Sequence, residues 1–188
     1  MFLKRQDPYH LIVGMTGVKL GDRIVQIGCG DGGRLGAIAA KVGLSGSASV
    51  VTPDELAAAR AQKGAADAGV LVEVHIAPPT RLPLDDDSID LALVDDTAGV
   101  VGSLSAEDRV ASIRELLRVL RPGGRVMIIG SAPRAGLGGL MNRWSTGPPF
   151  ALSGDANTAL QAEGFKMVRT LAEHDGFVFV EGVKPRQG

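Results

Sequence analysis

The stretch DRIVQIGCGDGGRLGAIAAKVG, residues 22–43, joins three local patterns. Ile24, Val25 and Ile27 form a short apolar run that predicts a buried strand. Glycines follow at positions 28, 30, 32 and 33, and apolar residues then recur at helical spacing as far as Val42. Because glycine has no Cβ, a turn of this kind lets the backbone approach a ligand closely. The stretch therefore predicts a strand, a glycine turn suited to ligand binding, and a helix.

Composition limits the classes of function. The 188-residue chain carries 20 Lys and Arg against 21 Asp and Glu, so its formal net charge is −1 and no basic cluster favours nucleic-acid binding. No run approaches the roughly 20 apolar residues of a membrane helix, and no signal peptide is evident. The only cysteine, Cys29, excludes an intramolecular disulfide and makes the cytoplasm the simplest compartment. We expect one domain over residues 1–188, with a short helix at 7–16, a core at 20–183, and neither nucleic acid nor membrane as partner.

Strand and helix patterns alternate along the rest of the chain. The segment TPDE, residues 52–55, has the spacing of a capping box with Thr52 as the cap. Further strands are predicted at 47–51, 70–76, 89–94 and 125–130, with a terminal hairpin at 165–173 and 177–183; further helices are predicted up to Ala68, from Ser105, and at 155–163. This order predicts an α/β, Rossmann-like, doubly wound sheet of seven strands, mostly parallel, with an antiparallel C-terminal hairpin.

Four segments together resemble one known family. They are VQIGCGDGG (25–33), TPDELAAAR (52–60), LPLDDDSIDLALV (82–94) and RELLRVLRPGGRVMI (114–128). In this order they resemble the class I S-adenosylmethionine-dependent methyltransferases of the small-molecule type, over roughly residues 20–183. The resemblance implies S-adenosylmethionine as cofactor. It implies cofactor contacts at Gln26, Gly28, Cys29, Gly30, Asp31, Gly32, Val50, Val51, Thr52 and Pro78.

The glycine turn also satisfies a second motif. Gly28, Gly30 and Gly33 match the G-x-G-x-x-G pattern of dinucleotide-binding proteins, so a nucleotide-dependent oxidoreductase is an alternative. A pyrophosphate would settle near the start of the following helix, where Asp31 would repel it. S-adenosylmethionine carries a sulfonium and an ammonium instead, so Asp31 is compatible with it. This difference in charge favours the methyltransferase interpretation.

Three carboxylates that the resemblance leads one to expect are absent. Gln26 stands where the family usually has an acid near the cofactor's amino-acid end, Val50 where an acid accepts from the ribose, and Pro78 where an acid accepts from adenine. Each lost charge-assisted hydrogen bond costs about 1.5–3 kcal/mol. We therefore expect S-adenosylmethionine to bind weakly.

Asp95 and Asp96 follow the fourth predicted strand, where the family places residues that face the acceptor. One of them could serve as a base or bind the substrate, or both could simply cap a turn. No further oxygen ligands stand at a spacing that would hold a metal. Cys29 is interpreted as a small buried residue, because no His or Asn nearby would activate its thiol.

The loop at residues 131–150 contains Trp144 and several glycines. It is interpreted as a lid, as a subunit contact in a homodimer, or as simple packing. Two functions are favoured at this point, and the nucleotide-dependent oxidoreductase stays as a second alternative. The first is a methyltransferase acting on an unidentified small-molecule acceptor. The second is a non-catalytic methyltransferase-like module that binds a protein partner or another ligand.

Overall fold

The computed structural model describes residues 8–132, 150–174 and 176–186. Its strands are β1 (Arg23–Ile27), β2 (Ser47–Thr52), β3 (Glu73–Ile76), β4 (Ile89–Asp95), β5 (Leu120–Ser131), β6 (Lys166–His174) and β7 (Phe177–Val183). Its α-helices are α1 (His10–Thr16), α2 (Gly33–Ala39), α3 (Glu55–Asp67), α4 (Ala106–Val119) and α5 (Asp155–Ala162), and a short 3₁₀ helix spans Asp96–Ala98.

The strands form one seven-stranded sheet in the order β3-β2-β1-β4-β5-β7-β6. The ladders from β3 to β5 are parallel, and β7 runs antiparallel to both β5 and β6. This arrangement confirms the predicted α/β fold with its antiparallel end. The strand order reverses between β1 and β4, and in such sheets the carboxyl ends at this point form the usual ligand site.

Side chains of the parallel strands alternate between two apolar layers, as strand geometry requires. One layer buries residues of α1 and α2 against the sheet: Ile12, Val13, Ile24, Ile38, Leu91, Leu93, Met127 and Ile129. The other buries residues of α4 and α5: Val25, Ile27, Ala92, Val94, Ile113, Leu116, Val126 and Leu160. Helices on both faces explain why the central strands are apolar throughout.

The N-terminal end of α3 differs from the prediction. The capping-box spacing predicts Thr52 as the cap of this helix, which is wrong: Asp54 is the cap, and its Oδ1 accepts a hydrogen bond from the Ala57 N–H at 2.8 Å. Thr52 is still part of β2 and pairs with Ile76 of β3. Its hydroxyl donates to the His75 carbonyl at 3.3 Å. The ladder therefore holds Thr52 in an extended conformation, and the helix starts after Asp54.

Other boundaries shift by a few residues. β3 begins at Glu73 rather than at residue 70, because the Val70 N–H donates to the Ala65 carbonyl and completes the end of α3. α1 begins at His10, and residues 1–7 lie outside the described part of the chain. Of the loop predicted at 131–150, residues 133–149 also lie outside it, so the roles predicted for that loop stay predictions. Among the described residues, no helix is long and apolar enough to cross a membrane.

Candidate functional site

The glycine turn links β1 to α2 at the edge where the strand order reverses. Gly28, Gly30 and Gly32 have φ angles of +75°, +55° and +89°, in the left-handed region that glycine adopts without strain. The Gly28 N–H donates to the Val51 carbonyl at 2.9 Å and so ties the turn to β2. The predicted turn is therefore present, and its backbone conformation requires glycine at three positions.

The space around these glycines is filled by the chain itself. A Cβ on Gly32 would lie 2.2 Å from the Arg60 carbonyl oxygen, and one on Gly28 would lie 3.1 Å from the Asp95 carbonyl oxygen. A Cβ on Gly30 would lie 2.6 Å from Arg34 Nη2. Backbone packing thus accounts for glycine at 28 and 32. At position 30 the neighbour is the end of a long side chain, which can move.

Gln26 lies beneath the turn and is only 1% exposed. Its Nε2 donates to the Gly28 carbonyl at 2.9 Å. The opposite orientation of the side-chain amide is excluded, because it would place Oε1 against the carbonyl oxygen of Gly28. Its Oε1 is buried and has no hydrogen-bond partner among the described residues. A buried acceptor without a donor is costly, so Oε1 marks a position where a ligand's N–H or O–H would be stabilising.

Val50 has no polar side-chain atom with which a ligand could form a hydrogen bond. It is fully buried and packs in a cluster with Cys29, Leu35, Ala57 and Ala61. The remaining predicted cofactor residues divide by exposure. Buried are Gly28, Gly32, Val51 and Thr52, whereas Gly30, Asp31 and Pro78 are partly or fully exposed. Cofactor contact at these positions stays a prediction.

Cys29 and Asp31 have local structural roles in the turn. The Cys29 thiol is buried and lies 3.3 Å from the Ala57 carbonyl oxygen as a hydrogen-bond donor. Burial raises the pKa of this thiol, which makes it a poor nucleophile at neutral pH. Asp31 is exposed, and its Oδ1 accepts from the Gly33 N–H at 3.0 Å, just where α2 begins.

Asp95 ends β4 and is held by an arginine that the sequence analysis did not single out. Arg34 Nε donates to Asp95 Oδ2 at 2.9 Å, and Arg34 Nη2 donates to Oδ1 at 3.1 Å. The Thr97 hydroxyl accepts from Arg34 Nη2 at 2.8 Å and donates to Asp95 Oδ1 at 2.6 Å. The Arg34 guanidinium also lies 5.7 Å from the ring centroid of Phe177. The Asp95 carboxylate is thus fully engaged within the chain.

Asp96 is buried as well and caps the loop that follows it. Its Oδ1 accepts from the backbone N–H groups of Val101 at 2.8 Å and Gly102 at 2.9 Å. Burial raises the pKa of Asp96 in spite of these hydrogen bonds. Both aspartates therefore lie at the expected edge of the sheet with partners inside the chain. A catalytic role for either stays a prediction.

Cavities among the described residues include two that lie away from the glycine turn. The larger, of about 660 Å³, lies between the loop after β3 and the end of α4, and its walls include Pro78, Arg81, Glu115 and Arg118. The smaller, of about 310 Å³, is lined by polar side chains that include Ser49 and His75. In the described part of the chain, no group of three or more His, Cys, Asp or Glu residues is placed to hold a metal ion.

Known proteins share both sequence and fold with this chain. Residues 24–124 match the family model for a methyltransferase domain. An uncharacterized protein of Mycobacterium tuberculosis is 31% identical over 119 residues, which are 63% of this chain and 40% of that protein. The ubiquinone/menaquinone biosynthesis C-methyltransferase UbiE of Chromobacterium violaceum is 26% identical over 64% of this chain and 47% of that protein.

A solved structure agrees over nearly the whole chain. A SAM-dependent methyltransferase from Aquifex aeolicus superposes with a TM-score of 0.73 at 20% identity, covering 95% of this chain and 94% of that one. At this identity the likeness shows the fold alone. The chain spans less than half the length of the two curated relatives above. The family model, however, covers more than half of this chain, from the strand before the glycine turn to the RPGG segment, and the protein therefore belongs to the methyltransferase-domain family.

Proposed function

We propose that this chain is an S-adenosylmethionine-dependent methyltransferase domain that acts on an unidentified small-molecule acceptor. The match of residues 24–124 to the methyltransferase family carries the proposal, because it includes the glycine turn and the carboxyl end of β4. The UbiE relative, itself a C-methyltransferase, supports the reaction class. The cofactor would supply a methyl group on a sulfonium.

The residues present fit the amino-acid end of this cofactor better than its nucleoside end. The orphaned Gln26 Oε1 would accept from the cofactor's ammonium group, and the left-handed backbone at Gly30 leaves room once Arg34 has moved. Val50 and Pro78 have no side-chain acceptor for ribose or adenine. Because each missing charge-assisted bond is worth about 1.5–3 kcal/mol, the proposal includes weak cofactor binding.

Calorimetric titration with S-adenosylmethionine and S-adenosylhomocysteine tests both parts of the proposal. We expect weak binding that Gly30→Ala lowers at least about tenfold, which corresponds to about 1.4 kcal/mol. Gly69→Ala is the matched control: Gly69 has a φ of +67°, yet nothing lies within 4 Å of a Cβ there, so it shares the backbone strain without touching the turn. A submicromolar dissociation constant would contradict weak binding. Absence of binding to the unmodified chain and to Gly69→Ala would contradict the function.

A second candidate is a non-catalytic module of the same fold. The observation that favours it is the engagement of both aspartates: Asp95 pairs with Arg34, and Asp96 caps its own loop. The ion pair disfavours Asp95 as a base, and burial with two backbone hydrogen bonds to Oδ1 favours a structural role for Asp96. Incubation with methyl-labelled S-adenosylmethionine and small-molecule or protein fractions distinguishes the candidates. Label in a small-molecule product supports the methyltransferase, whereas cofactor binding without any transfer supports the module.

A further inference from the structure

Arg34 occupies a place that the chain has built for a cation. Its guanidinium lies over Gly30 and meets three oxygens, the two of the Asp95 carboxylate and the Thr97 hydroxyl. The Asp95 side chain is 1% exposed and the Arg34 side chain 14% exposed, so the pair is largely removed from water. Such a carboxylate requires a positive partner, because an unpaired buried charge is strongly destabilising.

An acceptor without a donor lies on the neighbouring strand, on the same face of the sheet. Gln26 lies on β1 beside β4, in register with Leu93, two residues before Asp95 on the same face of the sheet. Within the described part of the chain its Oε1 has no partner, although the Arg34 guanidinium already satisfies Asp95. Arg34 therefore satisfies the acceptors of Asp95 and Thr97 but leaves that of Gln26 without a donor. A ligand with a cationic group for Asp95 and a further N–H or O–H donor for Gln26 would satisfy both acceptors.

We propose that Arg34 is a built-in occupant of a cation subsite, which the ammonium group of an amino-acid-bearing nucleoside must displace in order to bind. The inference rests on the proposed function for the identity of the ligand. Arg34 reaches this place through a long side chain from α2, whereas the neighbours of Gly28 and Gly32 include backbone atoms. The occupant can therefore leave without unfolding the turn. Arg34 is, on this view, a residue that sets the affinity for the cofactor's amino-acid end.

Titration of Arg34→Gln and Arg34→Lys with two ligands tests the proposal. S-adenosylhomocysteine carries the ammonium, and 5′-methylthioadenosine has the same nucleoside without the amino-acid end. We expect Arg34→Gln to tighten S-adenosylhomocysteine binding about tenfold and to leave 5′-methylthioadenosine unchanged. Arg34→Lys keeps a cation in place and should show no such gain. Arg60→Gln is the matched control. Like Arg34, Arg60 is a cation close enough to the turn to act on the Cys29 thiol, but its side chain is exposed, so its removal should leave the binding of both ligands unchanged.

A second measurement does not depend on the nucleoside. Arg34→Ala should leave a cavity that accepts free guanidinium, so millimolar guanidinium chloride should raise the melting temperature of this variant above that in matched sodium chloride. The unmodified chain should show no rise. If Arg34→Ala shows no rise, or if Arg34→Gln binds S-adenosylhomocysteine no better than the unmodified chain, the inference is overturned. If the unmodified chain and Arg34→Gln both bind it measurably and equally, only the inference fails. If neither binds it, the proposed function fails, and the inference, which names the same ligand, fails with it.

Discussion

At the scale of single residues, Gln26 does what a carboxylate at its position could not do. Its amide N–H holds the Gly28 carbonyl at 2.9 Å and so fixes the first residue of the glycine turn. A carboxylate has no donor for that carbonyl. The replacement of the expected acid therefore exchanges a charge for a hydrogen bond within the chain. The turn is thus held by a bond from within the chain.

The first stability prediction concerns this hydrogen bond. Gln26→Glu removes the donor to Gly28 and buries a charge at a site that is 1% exposed. We expect a loss of about 1–3 kcal/mol in the free energy of unfolding, measured by urea denaturation at neutral pH. Gln62→Glu on the exposed face of α3 is the control and should change stability by less than about 0.5 kcal/mol. Equal effects of the two substitutions would show that the bond to Gly28 is unimportant.

The sequence allowed this position to be identified but not its partners. Gln26, Val50 and Pro78 are visible as departures because the family pattern supplies a residue-by-residue expectation. The pairing of Arg34 with Asp95 joins residues 61 positions apart. No local pattern encodes such a contact, since it depends on β1 and β4 being neighbours in the sheet. The same limit applies to Asp96, whose position was predicted although its role as a loop cap was only one of the alternatives.

At the scale of secondary-structure elements, glycines set the distance between α2 and α3. A Cβ on Gly64 would lie 2.1 Å from the Gly32 carbonyl oxygen, and one on Gly36 would lie 2.4 Å from the Gly64 carbonyl oxygen. The helix that follows the glycine turn therefore rests directly on backbone atoms of α3. The position of α2, and with it that of Arg34, depends on this close contact.

Substitution of Gly64 measures the contact. Alanine is favoured over glycine in a helix interior by about 1 kcal/mol, yet here its methyl group would collide with backbone. We expect Gly64→Ala to destabilise the fold by about 1–3 kcal/mol in thermal or urea unfolding. Gly14→Ala in α1 is the control, because nothing lies within 4 Å of a Cβ there, and it should be neutral or slightly stabilising. Stabilisation by both substitutions would mean that α2 and α3 can separate without cost.

Elements were easier to predict than their ends. Apolar periodicity and the glycine, proline and capping signals located all seven strands, most clearly β1, β4 and β7, which are distinct apolar runs. Thr52 shows the limit of this approach. Its spacing to Glu55 fits a capping box, but pairing with β3 keeps it in the sheet. Tertiary contacts of this kind decide between two locally acceptable starts for a helix.

At the scale of the whole molecule, one buried carboxylate links the antiparallel end of the sheet to the N-terminal helix. Glu181 on β7 accepts from Arg169 of β6 at 3.0 and 2.7 Å, and its other oxygen lies 3.6 Å from Arg125 Nη1 of β5. Arg125 in turn donates to the carbonyls of Thr16 and Gly17, at the end of α1. A single cluster of charges thus joins three strands and the helix that covers them.

Removal of the charge at Glu181 tests how far the molecule depends on this cluster. The Glu181 side chain is 8% exposed, whereas those of Arg125 and Arg169 are 29% and 62% exposed, so water screens part of the interaction. We expect Glu181→Gln to lower the free energy of unfolding by about 1–3 kcal/mol, because it leaves the partly buried Arg125 without its counter-charge. Glu173→Gln, at an exposed position on β6, is the control and should change stability by less than about 0.5 kcal/mol. Urea denaturation of both variants measures the difference. If Glu181→Gln unfolds at the same urea concentration as Glu173→Gln, the charge on Glu181 adds nothing to the apolar packing and backbone hydrogen bonds that hold these elements together.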